Sequence, residues 1–299
     1  MPINAVIDLG TNTFHLIIAE VSAEKIEKIL YREKRYVRLA ENGIEEIDAP
    51  AYQRGLEAMN HYAQVLKQFK YDHLRAFGTE ALRVAKNALT FIEDVREQTG
   101  IEVAIIHGLE EASWIHKGVK QVIEPQEEPY LIMDIGGGSC EFVLVVNNEV
   151  HWSHSFPIGV SVLHHAYHHS DPISEYDQLK LEAYLTETLD PLSLQLKRQA
   201  CKILVGSSGT FDTILDLLHV PLQNESANLK PADFYPIHDW ILTSILSQRE
   251  AKKEIPEERV EYIVVAVVLI RQVLHMMAAK SIIISNYAMK EGILLGNPD

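Results

Sequence analysis

Two hydrophobic periods run through the chain. Residues 3–21 are apolar on either side of a tight Gly-Thr-Asn turn, which predicts two strands joined as a hairpin. The passage 130–146 repeats this plan around Gly136-Gly-Gly-Ser139, so that Asp8 falls on Asp134 and Gly10 on Gly136 at one offset of 126 residues. That offset is far too long for a solenoid and is the length of a domain. Helical spacing predicts a helix over 51–69, with Leu56, Met59, Tyr62, Leu66 and Phe69 on one side. Strands are expected at 74–77 and 103–106; Thr79 is a candidate cap for the helix carrying Leu82 and Arg83, and Glu110 and Glu111 open a helix reaching about residue 121. In the second half the same reading gives a strand at 152–157 and a helix after Gly159. A long helix over 174–194 follows, capped by Ser174, then a strand at 202–205 leading into Gly206-Ser-Ser-Gly-Thr210. A polar loop over 224–236, an apolar helix over 256–277, a strand at 281–285 and a last helix over 289–295 complete it. Strands alternating with helices define an α/β class.

Composition narrows the picture. A length of 299 residues suits two domains of ordinary size, and 47% apolar with 23% charged residues excludes a chain that is mainly disordered. No apolar run spans a bilayer, because the longest, 262–277, is broken by Arg271, Gln272 and His275. Asp8 and the Gly-Thr-Asn turn interrupt any secretory signal, and two cysteines, Cys140 and Cys201, cannot build a disulfide framework. The chain therefore reads as cytoplasmic. A formal charge of −15 argues against nucleic-acid or membrane partners, and a polyanionic substrate would need local donors to overcome the overall field.

The candidate chemistry lies in the turns. Successive N–H groups in glycine-rich turns form anion nests, and Asp8 and Asp134 stand immediately before two of them. A carboxylate beside bound phosphate is repulsive unless a divalent cation lies between, which is how Mg²⁺ is commonly held. Glu110 and Glu111 either complement the positive end of their helix or supply a carboxylate to a hydrolytic water. Among the histidines at 164, 165, 168 and 169, pairs four apart share a helix face, but no third metal ligand accompanies them.

Five motifs, in order along nearly the whole chain, resemble the exopolyphosphatase/guanosine pentaphosphate phosphatase (Ppx/GppA) family in its short two-domain form. They are Asp8-Leu-Gly-Thr-Asn-Thr-Phe-His15, Gly78-Thr-Glu-Ala-Leu-Arg83, Gly108-Leu-Glu-Glu-Ala112, Asp134-Ile-Gly-Gly-Gly-Ser139 and Gly206-Ser-Ser-Gly-Thr210. The resemblance implies two ribonuclease-H-like domains of the actin/hexokinase type with a cleft between them. The first would cover 1–120, with 287–299 packing back on it, and the second 121–286. It implies that Glu111 activates the attacking water and that Arg83 forks onto phosphate oxygens. Thr11, Asn12, Gly136, Gly137, Gly138, Ser139, Ser208, Gly209 and Thr210 would bind phosphate, and Mg²⁺ would sit on Asp134 first and Asp8 second. Arg35 and Arg38 either guide anions or belong to a solvated edge strand, and His107 replaces the serine usual before the motif's glycine.

The ends of the pattern depart from the family. Ser285-Asn-Tyr-Ala-Met-Lys-Glu-Gly292 stands where members commonly carry Ser-Asp-x-Gly-Leu-Arg-Glu-Gly, and Arg259-Val-Glu261 and Val265-Ala266 replace Arg-x-Asp and Pro-Gly. Side chains in place of glycine reduce room near a purine pocket. The expected activity is Mg²⁺-dependent release of terminal phosphate from inorganic polyphosphate or guanosine pentaphosphate. With no further helical portion in the sequence, attack on shorter polyphosphates or the nucleotide is favoured over processive degradation. The alternatives are a non-catalytic polyphosphate or alarmone sensor and, ranked last, an acetate- or sugar-kinase-like phosphotransferase. Two-domain members often pair, so a homodimer is an open expectation.

Overall fold

A computed structural model describes residues 1–296. The last three residues of the predicted returning segment 287–299 lie outside the described residues. The chain divides into two compact units. The first holds Met1–Gln121, Gly136–Gly138 and the segment from Ala288; the second holds Val122–Ile135 and Ser139–Tyr287.

In the first unit the strands are β1 (Ile3–Leu9), β2 (Thr13–Val21), β3 (Ile26–Tyr36), β4 (His73–Gly78) and β5 (Val103–Ile105). Its helices are α1 (Ala49–Leu66), α2 (Glu80–Val84), α3 (Ala88–Thr99) and α4 (Gly108–Val119), joined by the chain's last helix, α12 (Met289–Leu294). The sheet order is β3-β2-β1-β4-β5, with β1–β2–β3 antiparallel and β1, β4 and β5 parallel. Asp48 caps α1 by accepting from the Ala51 N–H at 2.8 Å. Thr79 makes no side-chain cap bond to α2, contrary to the expectation from its position. Its β4–α2 turn is fixed through the backbone, where the Arg83 N–H donates to the Thr79 carbonyl.

In the second unit the strands are β6 (Tyr130–Ile135), β7 (Cys140–Val146), β8 (Glu149–Phe156), β9 (Ile203–Ser207), β10 (Ser226–Leu229) and β11 (Ser281–Ser285). The helices are α5 (Val160–Tyr167), α6 (Glu175–Thr188), α7 (Asp190–Arg198), α8 (Gly209–Leu218), α9 (Pro231–Thr243), α10 (Leu246–Glu250) and α11 (Ile263–Met277). The sheet order is β10-β11-β9-β6-β7-β8. Read from β8, it repeats the first sheet strand for strand, with β10 added as an antiparallel edge. The repeat extends to register: Asp8 faces His15 across its hairpin, and Asp134 faces Glu141 across the other. Every residue of β6 is buried, as expected of a central strand covered on both faces. Helix α11 is apolar almost all round and runs through this unit's core.

Three predicted elements differ. The helix over 174–194 is two helices, because Pro191 has no N–H to continue the first and starts a new one instead. The loop over 224–236 contains β10 and the start of α9: Asn224 and Glu225 both adopt positive φ, a two-residue turn that folds Ser226 back toward Gln223, and Pro231 then opens α9. The helix over 256–277 begins only at Ile263, preceded by a 3₁₀ turn at Glu257–Arg259. Among the described residues no helix is long and apolar enough to cross a membrane.

Candidate active site

Parallel strands deliver their C-terminal ends to one edge of a sheet, where open α/β folds collect ligand-binding loops. In the first unit, β4 and β5 are parallel neighbours, so the segments leaving Gly78 and Ile105 start side by side, tied by the Ile106 N–H donating to the Gly78 carbonyl at 3.1 Å. The first segment becomes α2 and carries Arg83; the second becomes α4 and carries Glu111 in its first turn. Arg83 Nη1 donates to Glu111 Oε2 at 2.7 Å and to the Ile106 carbonyl at 2.8 Å. On its other edge Nε donates to Glu80 Oε2 at 2.8 Å, and Nη2 lies 2.6 Å from the same oxygen as an ion pair rather than an aligned hydrogen bond. Burial opposes the charge on Arg83, but Glu111, and Glu80 with it, more than offset this and raise its pKa. Glu110 is exposed while Glu111 is only 7% exposed, so the helix itself separates the two acids.

The first hairpin turn is held by its carbonyls. Leu39 N–H donates to the Thr11 carbonyl at 2.8 Å, and Val37 and Arg38 N–H both donate to that of Asn12 at 2.9 Å. Because N–H and C=O point oppositely across a trans peptide, the Asn12 N–H is turned away from residues 37–39. Gly136–Gly138 group with this unit. A Cβ at Gly137 would come within 2.8 Å of the Asn12 side chain. One at Gly138 would come within 2.8 Å of Thr11 Oγ1 and 2.9 Å of Glu80 Cβ. Gly138 is thus favoured by close approach to the Thr11 hydroxyl and the Glu80 stem, Gly137 lies against the movable Asn12 amide, and Thr11, Asn12, Gly137 and Gly138 form one cluster with Glu80.

In the second unit the same geometry brings β6 and β9 together in parallel, with Asp134 opposite Ser207. Ser207 Oγ donates to Asp134 Oδ2 at 2.8 Å in a buried setting. Ser208 takes positive φ, donates its hydroxyl to the Ile135 carbonyl at 2.8 Å, and turns the chain into α8. Gly209 and Thr210 then present N–H groups of the helix's first turn, which have no intrahelical acceptor. The Arg259 guanidinium packs over Gly209 in the space a Cβ would fill, and Nη1 donates to Thr213 Oγ1 at 3.0 Å.

Two carboxylates escaped the sequence reading. Glu80 is the variable position inside Gly-Thr-x-Ala-Leu-Arg. Glu141 is 2% exposed and accepts from Ser139 Oγ at 2.6 Å and Ser155 Oγ at 2.7 Å. The signal for Glu141 was an acid in an apolar strand, at the repeat position of His15. Ser139, expected on phosphate, spends its hydroxyl proton on Glu141. Burial, with Glu141 and Asp134 adding negative charge nearby, pushes the Cys140 thiol up and leaves it unreactive.

Of the remaining candidates, Arg35 lies on edge strand β3 beside Glu33 at 3.6 Å, and Arg38 pairs with Glu41 at 3.5 Å. His107 is exposed and makes no cap bond. His164 and His168 face each other at 3.0 Å through their Nδ1 atoms. No cluster of three or more His, Cys, Asp or Glu able to hold a metal occurs among the described residues. Asp8 in the first unit and Asp134 in the second each stand near the end of a strand and each offer a hard oxygen donor, the ligand chemistry that Mg²⁺ takes from proteins one or two carboxylates at a time.

A sheet of order 3-2-1-4-5 occurring twice, with acid-and-glycine turns at the strand ends, defines a duplicated ribonuclease-H-like protein of the actin/hexokinase type. Residues 17–298 match the profile of the Ppx/GppA phosphatase family, and the chain belongs to that family. An exopolyphosphatase from Cytophaga hutchinsonii is similar at 34% identity, over 98% of this chain and 96% of that one, with a TM-score of 0.93. An exopolyphosphatase-like protein is similar at 25% identity over 98% and 97%, TM-score 0.89. The Aquifex aeolicus PPX-GPPA enzyme shares the fold at 24% identity over 99% of both chains, TM-score 0.82.

Proposed function

We propose that this protein is a Mg²⁺-dependent phosphohydrolase that releases terminal phosphate from inorganic polyphosphate or guanosine pentaphosphate. The observation that carries the reading is Glu111, a buried carboxylate in the first turn of α4, held by Arg83 at 2.7 Å. Phosphoanhydride hydrolysis needs a water in line with the terminal phosphorus and a carboxylate to orient it and take its proton. Glu111 fills that role, and Arg83 fixes which of its oxygens faces which way. The amides of the Gly136–Gly138 turn and of Gly209 and Thr210 supply donors for phosphate oxygens. Asp134 first, and Asp8 second, would hold Mg²⁺, which when bound neutralises charge on the phosphate oxygens.

Orthophosphate release is measured with tripolyphosphate, long-chain polyphosphate, guanosine pentaphosphate and a nucleoside triphosphate, with and without Mg²⁺. The wild type is expected to turn over a polyphosphate or the pentaphosphate only with the metal. Glu111→Gln, which keeps an acceptor for Arg83, should lose about 10²–10⁴-fold in kcat. Equal rates remove Glu111 from its role. Thermal stabilisation by these ligands without turnover would instead identify a sensor, and a phosphorylated acceptor a transferase.

A further inference from the structure

Arg83 is held by protein acceptors at two of its three nitrogens, Nε and Nη1, which leaves Nη2 without an aligned acceptor. One edge is closed by Glu80. A guanidinium is planar and its N–H directions are fixed, so anchoring Nε on Glu80 Oε2, with Nη2 beside the same oxygen as an ion pair, restricts the plane in which Nη1 must point. Nη1 then meets the Ile106 carbonyl and Glu111 Oε2 together, at 2.8 and 2.7 Å. Arg83 and Glu80 side chains are both largely buried, at 13% and 15% exposure, so the contact is not a solvated surface pair of the kind that contributes little. The Glu80 methylenes also lie where a side chain on Gly138 would go, which leaves the carboxylate little freedom to swing away.

We propose that Glu80 is a positioning residue: it fixes the guanidinium plane of Arg83 and, through it, the carboxylate of Glu111. This rests on the phosphohydrolase reading and adds to it a residue that acts at one remove from the reacting atoms. Removing Glu80 frees Arg83 to rotate, and Glu111 loses its fixed orientation while substrate phosphates keep their own donors. The loss therefore falls on kcat and spares KM.

Tripolyphosphate hydrolysis by the full chain tests this with Glu80→Ala, Glu80→Gln, Arg83→Ala and the Glu80→Ala/Arg83→Ala double variant, each checked for an unchanged melting transition. Glu80→Ala should lose between about tenfold and about a hundredfold in kcat, the scale of a misplaced catalytic group, with KM moving less than threefold. Glu80→Gln, which retains an acceptor oxygen, should recover part of the loss. In the Arg83→Ala background Glu80→Ala should cost nothing more. An unchanged kcat, a fall in KM with kcat preserved, or losses that multiply in the double variant would each overturn the proposal. Independently of turnover, the Arg83 Nε–H proton, assigned by its disappearance in Arg83→Lys, should exchange slowly in the wild type and fast in Glu80→Ala. Equal exchange overturns the anchoring. If the wild type hydrolyses no phosphate substrate, the phosphohydrolase reading falls, and the exchange of this proton still decides whether Glu80 fixes Arg83.

Discussion

Glu80, Arg83 and Glu111 put one cation between two acids, an arrangement in which neither acid can be judged by its own surroundings alone. Histidines in the second unit obey the same logic with the opposite sign. His168 is half-buried, faces His164 at 3.0 Å and is pushed down to about 4 from an ordinary 6.5, by burial first, then by His164 and Arg249 against the pull of Asp171 and Asp177. A base whose folded pKa lies below its unfolded value stays neutral in the native state while the unfolded chain takes up a proton. Stability is then lost as pH falls from about 6.5 toward about 4, and no further below that. The melting temperature of the wild type should drop across this window, and that of His168→Asn should drop less; parallel curves would show that other groups dominate. The catalytic candidates were legible in the sequence because each sits at a fixed place in a short motif. Glu80 was not, since nothing in a linear motif marks the neighbour that holds an arginine three residues on.

Elements show where pattern reading succeeds and where it stops. Both hairpins were readable because apolar strands flank turns of Gly, Thr, Asn and Ser, and the sheet builds its parallel neighbours β4 and β9 onto them. Strand β10 was not, because four half-polar residues form it only by pairing with β11 after a left-handed turn. A similar tertiary constraint governs α12, which packs on α4 through Gly118 and Gly292. A Cβ on either would run into backbone of the other helix, the Ala288 carbonyl for Gly118 and the Trp114 carbonyl for Gly292. Asn4 Nδ2 donates to the Leu294 carbonyl at 2.8 Å, and Lys117 Nζ to that of Leu295 at 2.9 Å, so the helix cannot drift to relieve the clash. Gly292→Ala should cost about 1–3 kcal/mol by overpacking, read as a lower urea midpoint at unchanged slope. Gly209→Ala is the contrast: the atoms it meets are the far end of the Arg259 side chain, which can move aside, so its midpoint should shift much less.

Charge belongs to the whole chain, and here it opposes the proposed substrate. A protein of net charge −15 repels polyphosphate at long range, whereas the donors that would bind it are amides and partly committed arginines effective only at contact. Salt separates the two. At about 0.01 M ionic strength the screening length is roughly 30 Å and the full acidic surface is felt; at about 0.15 M it is roughly 8 Å and mainly the nearest groups act. Substrate capture should therefore speed up as inert salt is added. The value of kcat/KM for tripolyphosphate at constant free Mg²⁺ should rise on the order of several-fold between those limits, while kcat, which concerns substrate already bound, stays level. A positively steered site would do the reverse and slow with every increment of salt. A falling kcat/KM would thus mean that local cations outweigh the rest of the acidic surface, and would make Arg35, Arg38 and Arg259 the first side chains to neutralise in turn.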